Sequence, residues 1–304
     1  MSDNQKTLNS SIEFTGVGLH TGEGVHMVIE PAKINHGVKF QRIDLENQPV
    51  LPADINLVTD TQRSTTLEKD NVKIVTVEHL MSALYALGVN NVLIKMDSSE
   101  VPILDGSAKY FVEEIQKVGL KVQDAPLKYI DLPDPIHYTD PDSGSEILFV
   151  PANNFIISVV LDYQNLALGT QYAEIRDLKD YSTEIAPCKT FVFLTELEKL
   201  AKANLIKGGG LENAIVVVDR EDTKHSEIKK LAHLLGKDDS DIKINGNVLN
   251  NCEMQFYNEP ARHKLLDVIG DLALIGMPIK GHIITKKPGH KLNTSFAQIL
   301  KKAM

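Results

Sequence analysis

One order of elements runs through the chain twice, short β-rich segments first and an amphipathic helix late, and this repetition limits the fold more than any single motif does. In the first half, Ser11 to Leu19, Val25 to Glu30 and Gly37 to Ile43 read as strands. From Thr76 the period changes. Val77, Leu80, Ala83, Leu84 and Leu87 recur at three- and four-residue intervals, which predicts a helix stopped by Gly88. A strand from Asn91 to Met96, a turn at Asp105-Gly106 and a helix from near Ser107, burying Phe111, Val112 and Ile115, complete that half. The second half again opens on strands, Glu146 to Val150 and Phe155 to Leu161, and reaches its helix late, at His263 to Leu274. Between the halves, Gln123 to Pro135 is rich in Asp, Pro and Lys, and Pro126, Pro133 and Pro135 discourage helix there. The expected fold is α+β, two similar α+β units, residues 1–125 and 126–304, packed face to face. Inside the second, Thr190 to Phe193, Glu196 to Asn204 and Ala214 to Val218 read as a βαβ insert, with Gly208-Gly209-Gly210 before its last strand. Residues 221–250 are rich in Lys, Asp and Glu, which reads as solvated helix and loop.

At 304 residues the chain can bury its own cores without a disulfide or a structural metal, so a bound metal is free to do chemistry. Cys188 and Cys252 are the only cysteines and lack the spacing of a zinc finger or a disulfide framework, which points to a reducing, cytoplasmic compartment. Neither a signal-peptide pattern nor an apolar run of bilayer length occurs, so no stable membrane insertion is expected. A net charge of -9 argues against nucleic-acid partners, and a small anionic ligand would need a local basic pocket.

His263 and Asp267 are four apart on a predicted helix, which puts both on one face within reach of a single cation. A surface hydrogen bond fits the same spacing. Catalytic zinc sites take three protein ligands, and His79, on the corresponding helix of the first unit, is the candidate for the third. Its neighbour Glu78 leaves the helix about 100° away, so it can flank a metal and act as general base; it also suits a first-turn glutamate favoured by the helix dipole. Lys287-Pro288-Gly289-His290 breaks the chain before a final helix and presents His290, which could protonate a leaving nitrogen or stabilise an oxyanion. Gly16-Val17-Gly18-Leu19-His20-Thr21-Gly22 predicts a tight turn against a ligand, with His20 as the side chain offered, and lacks the ending of a phosphate loop. Asp105-Gly106-Ser107 reads as turn chemistry plus a helix cap.

These motifs occur in order in one chain: Gly16 to Gly22, Thr76-Val77-Glu78-His79-Leu80, Ile103-Leu104-Asp105-Gly106-Ser107, Arg262-His263-Lys264 through Asp267, Gly270-Asp271-Leu272 and Gly289-His290. Together they resemble the UDP-3-O-acyl-N-acetylglucosamine deacetylase family of the lipid A pathway. The resemblance implies two α/β sandwiches with zinc between them and hydrolysis of the 2-acetamido group of a UDP-linked, 3-O-acylated glucosamine, releasing acetate. It implies His79, His263 and Asp267 as zinc ligands, Glu78 as base, and His290 as acid or oxyanion partner oriented by Asp271. It further implies that Thr190 polarises the carbonyl and that Lys264 and Lys287 bind the sugar nucleotide. Phe191 and Ile206 would line an acyl passage in the insert, and Tyr163 would meet the uracil, although the His-Pro that often follows the aromatic residue is absent after it. Iron(II) suits the same donors. Some family members continue into a fused hydroxyacyl carrier-protein dehydratase, a fusion that the ending Lys301-Lys302-Ala303-Met304 leaves open. Two rivals stand against this: a scaffold whose histidines satisfy core hydrogen bonds, with a partner at Glu221 to Asp241, and a zinc hydrolase of another amide.

Overall fold

The computed structural model describes residues 4–163, 167–202, 207–210, 212–219, 229, 244–249 and 253–304. They form a mixed α+β fold in which the repeat extends to strand order. The first sheet runs Ile12–Val17, Gly24–Pro31, Val92–Met96, Val38–Arg42, Val50–Pro52. The second runs Ile136–Thr139, Glu146–Val150, Ile279–Lys286, Phe155–Asp162, Thr170–Ile175. Each begins with a hairpin and holds its unit's last strand at the centre, antiparallel to the second strand and parallel to the third. A parallel pair needs a long crossover, and here it contains an insertion and a helix.

In the first unit the insertion is a three-stranded antiparallel meander, Val58–Asp60, Thr66–Lys69 and Val72–Ile74, followed by α1 (Glu78–Ala86); α2 (Lys109–Val118) comes after the central strand. In the second unit the insertion is the βαβ element, in which Phe191–Phe193 and Ile215–Val217 pair in parallel across α3 (Leu194–Lys202). It is followed by α4 (Glu259–Ala273), the central strand and α5 (His290–Lys302). Both insertions therefore enter at one point of the repeat, between the fourth strand and the helix that precedes the centre.

Strand Gly24–Pro31 buries Val25, Met27 and Ile29 on one face, the alternation of a sheet covered on one side. The helical sides of the two units meet, with α1 against α4. Helix α4 is buried on nearly every side because it lies between its own sheet and α1. The crossing is close: a Cβ on Gly270 of α4 would overlap the backbone carbonyl of Glu78 on α1.

The structure shifts three expected boundaries. Helix α4 starts at Glu259, a turn before His263, because Pro260 fits a first helical turn whose N–H groups have no partner anyway. Helix α5 starts at His290 itself, with Gly289 extended before it. The proline-rich stretch is partly paired: Leu120–Pro126 lies antiparallel to Asn4–Leu8, and Ile130–Asp131 parallel to Ile279 and Lys280. Proline is tolerated on such short edge strands. Asn204, Ile206 and most of residues 221–250 lie outside the described residues. No described helix is long and apolar enough to cross a membrane.

Candidate active site

The α1–α4 crossing brings together the polar residues of both helices. Glu78 and His79 open α1, His263, Asp267 and Asp271 follow one another on α4, and His290 opens α5 beside them; each of the six is at most 7 % exposed. The spacing of four between His263 and Asp267 puts His263 Nε2 3.4 Å from Asp267 Oδ1. From the other helix, His79 Nε2 comes within 3.9 Å of the same oxygen, and the two imidazoles meet edge to face with centroids 4.9 Å apart. One donor atom from each of His79, His263 and Asp267 lies within 4.8 Å of the others.

This trio fits a divalent cation. Among the described residues Asp267 Oδ1 and His79 Nδ1 are buried without a hydrogen-bond partner, and a carboxylate oxygen left so in a dry site is costly unless a cation or donor meets it. Metal ligands must be deprotonated, and the surroundings of all three favour that form. Burial, aided by the other imidazoles, pushes His79 down to about 3, and burial likewise holds His263 below its usual value. Burial would raise Asp267, but Lys264 and the imidazoles of His263, His290 and His79 hold it well below the usual carboxylate range. The Nδ1–H of His263 donates to the Cys188 carbonyl at 3.0 Å, which fixes the ring with Nε2 toward the site.

Glu78 and His290 flank the trio with opposite tendencies. Burial raises Glu78 to about 7, against the pull of His290 and with the push of Asp271 and Asp267. Burial would lower His290, but the Asp271 and Glu78 carboxylates outweigh it and lift His290 to about 9. Their facing atoms, Glu78 Oε1 and His290 Nε2, are 3.9 Å apart. His290 Nδ1 donates to Asp271 Oδ2 at 3.0 Å. A carboxylate pushed up toward neutrality beside an imidazole held toward its charged form, in one dry site, is an arrangement that can serve as an acid–base pair.

The remaining candidates are spread around this centre. Lys264 donates to Asp267 Oδ2 at 2.7 Å and stands 5.6 Å from the Phe191 ring centre; burial opposes its charge, but Asp267 and Tyr163 hold its pKa above the usual lysine value. Thr190 follows Cys188 by two residues and, with Phe191, Leu19, His20, Leu197 and Val216, lines an apolar pocket of the insert. Tyr163 packs against Phe191 and Phe193, with centroids 6.1 and 5.6 Å away. Lys287 lies half-buried just before α5 with left-handed backbone, φ 54°. Ile206 falls outside the described residues.

Sequence reasoning missed two polar residues here. Thr65, fully buried, donates from its amide to Glu78 Oε2 at 3.0 Å and from its hydroxyl to Asp271 Oδ1 at 2.5 Å. Glu100 lies beneath the glycine-rich loop and accepts from the amides of His20 and Thr21 and the hydroxyls of Thr21 and Thr76. The loop needs glycine at Gly18, where a Cβ would come within 2.9 Å of Glu100 Cβ. The signal available was a carboxylate opening the apolar run Glu100-Val101-Pro102-Ile103; for Thr65 none was visible.

A sequence model of the UDP-3-O-acyl N-acetylglycosamine deacetylase family matches residues 5–232 and 229–302. The chain belongs to this family. It is 46% identical over 298 residues to the bifunctional enzyme LpxC/FabZ of Bacteroides thetaiotaomicron, a match covering 98% of the chain and 64% of that relative. The protein of the same name from Porphyromonas gingivalis is 43% identical, with the same two coverages. The UDP-3-O-acyl-N-acetylglucosamine deacetylase of Thermosynechococcus vestitus is 36% identical over 296 residues, 97% of the chain and 93% of that relative. The chain therefore spans 64% of the length of these bifunctional members of the family.

Proposed function

We propose that the chain is a zinc-dependent hydrolase that removes acetate from the 2-acetamido group of UDP-3-O-(3-hydroxyacyl)-N-acetylglucosamine, the committed step of lipid A biosynthesis. The observation that carries the reading is the convergence, across two helices of different units, of His79, His263 and an unpartnered Asp267 oxygen, with Glu78 and His290 beside them. Family membership supplies the substrate class.

In this reading His79, His263 and Asp267 hold the zinc. When bound, zinc supplies Lewis acidity that polarises oxygen atoms and stabilises negative charge on them. Glu78 Oε1 accepts a proton from the attacking water, whose oxygen forms the new bond to the amide carbon. His290, protonated and held by Asp271, faces the oxyanion and passes its Nε2 proton to the nitrogen as the carbon–nitrogen bond breaks, leaving acetate and a free amine. Thr190, which lines the insert pocket, is the residue assigned to polarise the substrate carbonyl. Lys264 and Lys287 meet the diphosphate. The acyl chain enters the pocket lined by Phe191, Leu197 and His20, and Tyr163 meets the uracil. Burying about ten methylenes at roughly 0.8 kcal/mol each accounts for selection of an acylated substrate.

The same reading divides the chain at residues 125 and 126 into two sandwich domains and locates it in the cytoplasm; it leaves open a C-terminal fusion to a hydroxyacyl carrier-protein dehydratase in the full-length protein, which the mass of the native protein in its cell tests. The activity is tested with zinc-loaded protein and the acylated substrate beside its counterpart lacking the acyl chain. One acetate and one free amine are expected per acylated molecule, with far slower release from the other. Folded, zinc-loaded protein that releases no acetate overturns the proposal, and equal rates on the two overturn the acyl passage.

A further inference from the structure

Three polar groups of Thr65 act on the site at once. Its N–H donates to Glu78 Oε2 at 3.0 Å, its hydroxyl to Asp271 Oδ1 at 2.5 Å, and its carbonyl accepts the N–H of Val77, the residue before α1, at 3.3 Å. Glu78 belongs to α1 of the first unit, while Asp271 belongs to α4 of the second, 206 residues away from Thr65. The other oxygen of Asp271 accepts from His290 Nδ1 at 3.0 Å and from Asn293 Nδ2 at 2.9 Å. Thr65 thus grips the base directly and the imidazole through one carboxylate.

A carboxylate held on one oxygen alone can turn about its terminal torsion and carry its imidazole with it; held on both, it cannot. The Thr65 hydroxyl supplies the second hold in a site closed to water. Thr65 sits in the meander of the first unit as Thr190 sits at the start of the insert of the second, and both insertions enter at one point of the repeat.

We propose that Thr65 is a positioning residue that fixes His290 relative to Glu78 across the helix interface, acting through the bond from its hydroxyl to Asp271. The proposal rests on the deacetylase reading above. Thr65→Val keeps the amide bond to Glu78 and replaces the hydroxyl by a methyl group that cannot donate to Asp271. A misplacement of about 1 Å costs on the order of a hundredfold in rate, so kcat of the folded, zinc-loaded variant is expected to fall roughly 10- to 100-fold with KM within about twofold. Thr65→Ser, which restores the hydroxyl, is expected to recover kcat to within about fivefold. If Thr65 acts through His290, Thr65→Val adds less than about a twofold loss in a His290→Ala background, whereas a residue that merely supports the fold would cost the same in both.

The experiment measures kcat and KM by acetate release for zinc-loaded wild type, Thr65→Val, Thr65→Ser, His290→Ala and the Thr65→Val/His290→Ala pair, with Thr65→Ala replacing Thr65→Val if the valine variant does not fold. The expected pattern is a kcat loss without a KM change, rescue by serine, and no further loss in the His290→Ala background. Wild-type kcat in the hydroxyl-less variant, or an equal loss in both backgrounds, overturns the positioning role while the deacetylase reading stands. No acetate from the wild type overturns the reading and the proposal with it.

Discussion

Gly270→Ala tests whether the site depends on how closely α1 and α4 cross. The added Cβ would lie 2.9 Å from Glu78 Cα and closer still to its carbonyl, whereas ordinary contact begins at 3.4 Å. The Glu78 carbonyl oxygen, 2.0 Å from that Cβ, sets the requirement, and the helices must separate by roughly 1 Å or more to admit it, since packed interiors have no slack to absorb it. Overpacking of this kind costs about 1–3 kcal/mol, a fall of several degrees in Tm for a chain of this size. The effect on the site is more telling than the effect on the fold, because His79 rides on α1 while His263 and Asp267 ride on α4. Separating the helices pulls one ligand from the other two and moves Glu78 away from His290. Zinc affinity is expected to drop at least about tenfold, the lower end of the loss seen when groups orienting metal ligands are removed, and kcat by roughly 10- to 100-fold. Zinc titration of the metal-free protein, a thermal scan and acetate release measure the three quantities. Wild-type zinc affinity and kcat in a folded Gly270→Ala protein would refute the idea that the close crossing assembles the site.

Glu78→Ala is expected to keep zinc and lose most activity, and His79→Ala to lose both, as judged by metal content and acetate release; full activity in either variant contradicts the assigned roles. His290→Ala is expected to slow turnover by a factor on the order of a hundred without releasing zinc. The pH profile of kcat/KM should be bell-shaped. Activity rises as Glu78, at about 7 from the protein groups alone, loses its proton, and falls as His290, at about 9, loses its own; a bound cation moves both limbs to lower pH. A rate still climbing above about pH 10 contradicts a protonated His290. Glu100→Gln places an amide donor or a weaker acceptor under the His20 and Thr21 amides; it should cost about 2–3 kcal/mol in denaturant unfolding and raise KM for the acylated substrate, and an unchanged stability would show that Glu100 does not hold the loop.

Local periodicity made much of this legible. The spacing of Val77, Leu80, Ala83 and Leu84 located α1, and the branched apolar run from Phe155 to Leu161 located a strand, since in both the apolar character is written into neighbouring residues. The four-residue step from His263 to Asp267 likewise survives folding because a helix preserves it. What depends on distant pairing was hidden. Nothing in Ile279 to Lys286 says that it lies between Glu146–Val150 and Phe155–Asp162, parallel to one and antiparallel to the other. The start of α4 was placed late because its first turn carries Glu259 and Pro260 instead of the apolar period. Gly270 was visible as a motif residue, but its reason, a carbonyl on the other helix, was not. Thr65 and Glu100 stayed silent because a buried polar residue takes its meaning from partners brought to it by the fold, in these cases Asp271 and the loop from Gly18 to Thr21.

The most direct test of the central claim is acetate release from UDP-3-O-(3-hydroxyacyl)-N-acetylglucosamine by the purified protein as isolated, after chelation, and after zinc is restored, with the His79→Ala variant carried through the same steps. Activity that vanishes with the chelator and returns with zinc in the wild type, and never appears in His79→Ala, is the expected result. Acetate release that survives complete removal of metal, or that His79→Ala supports equally well, would contradict a zinc hydrolase assembled between the two units.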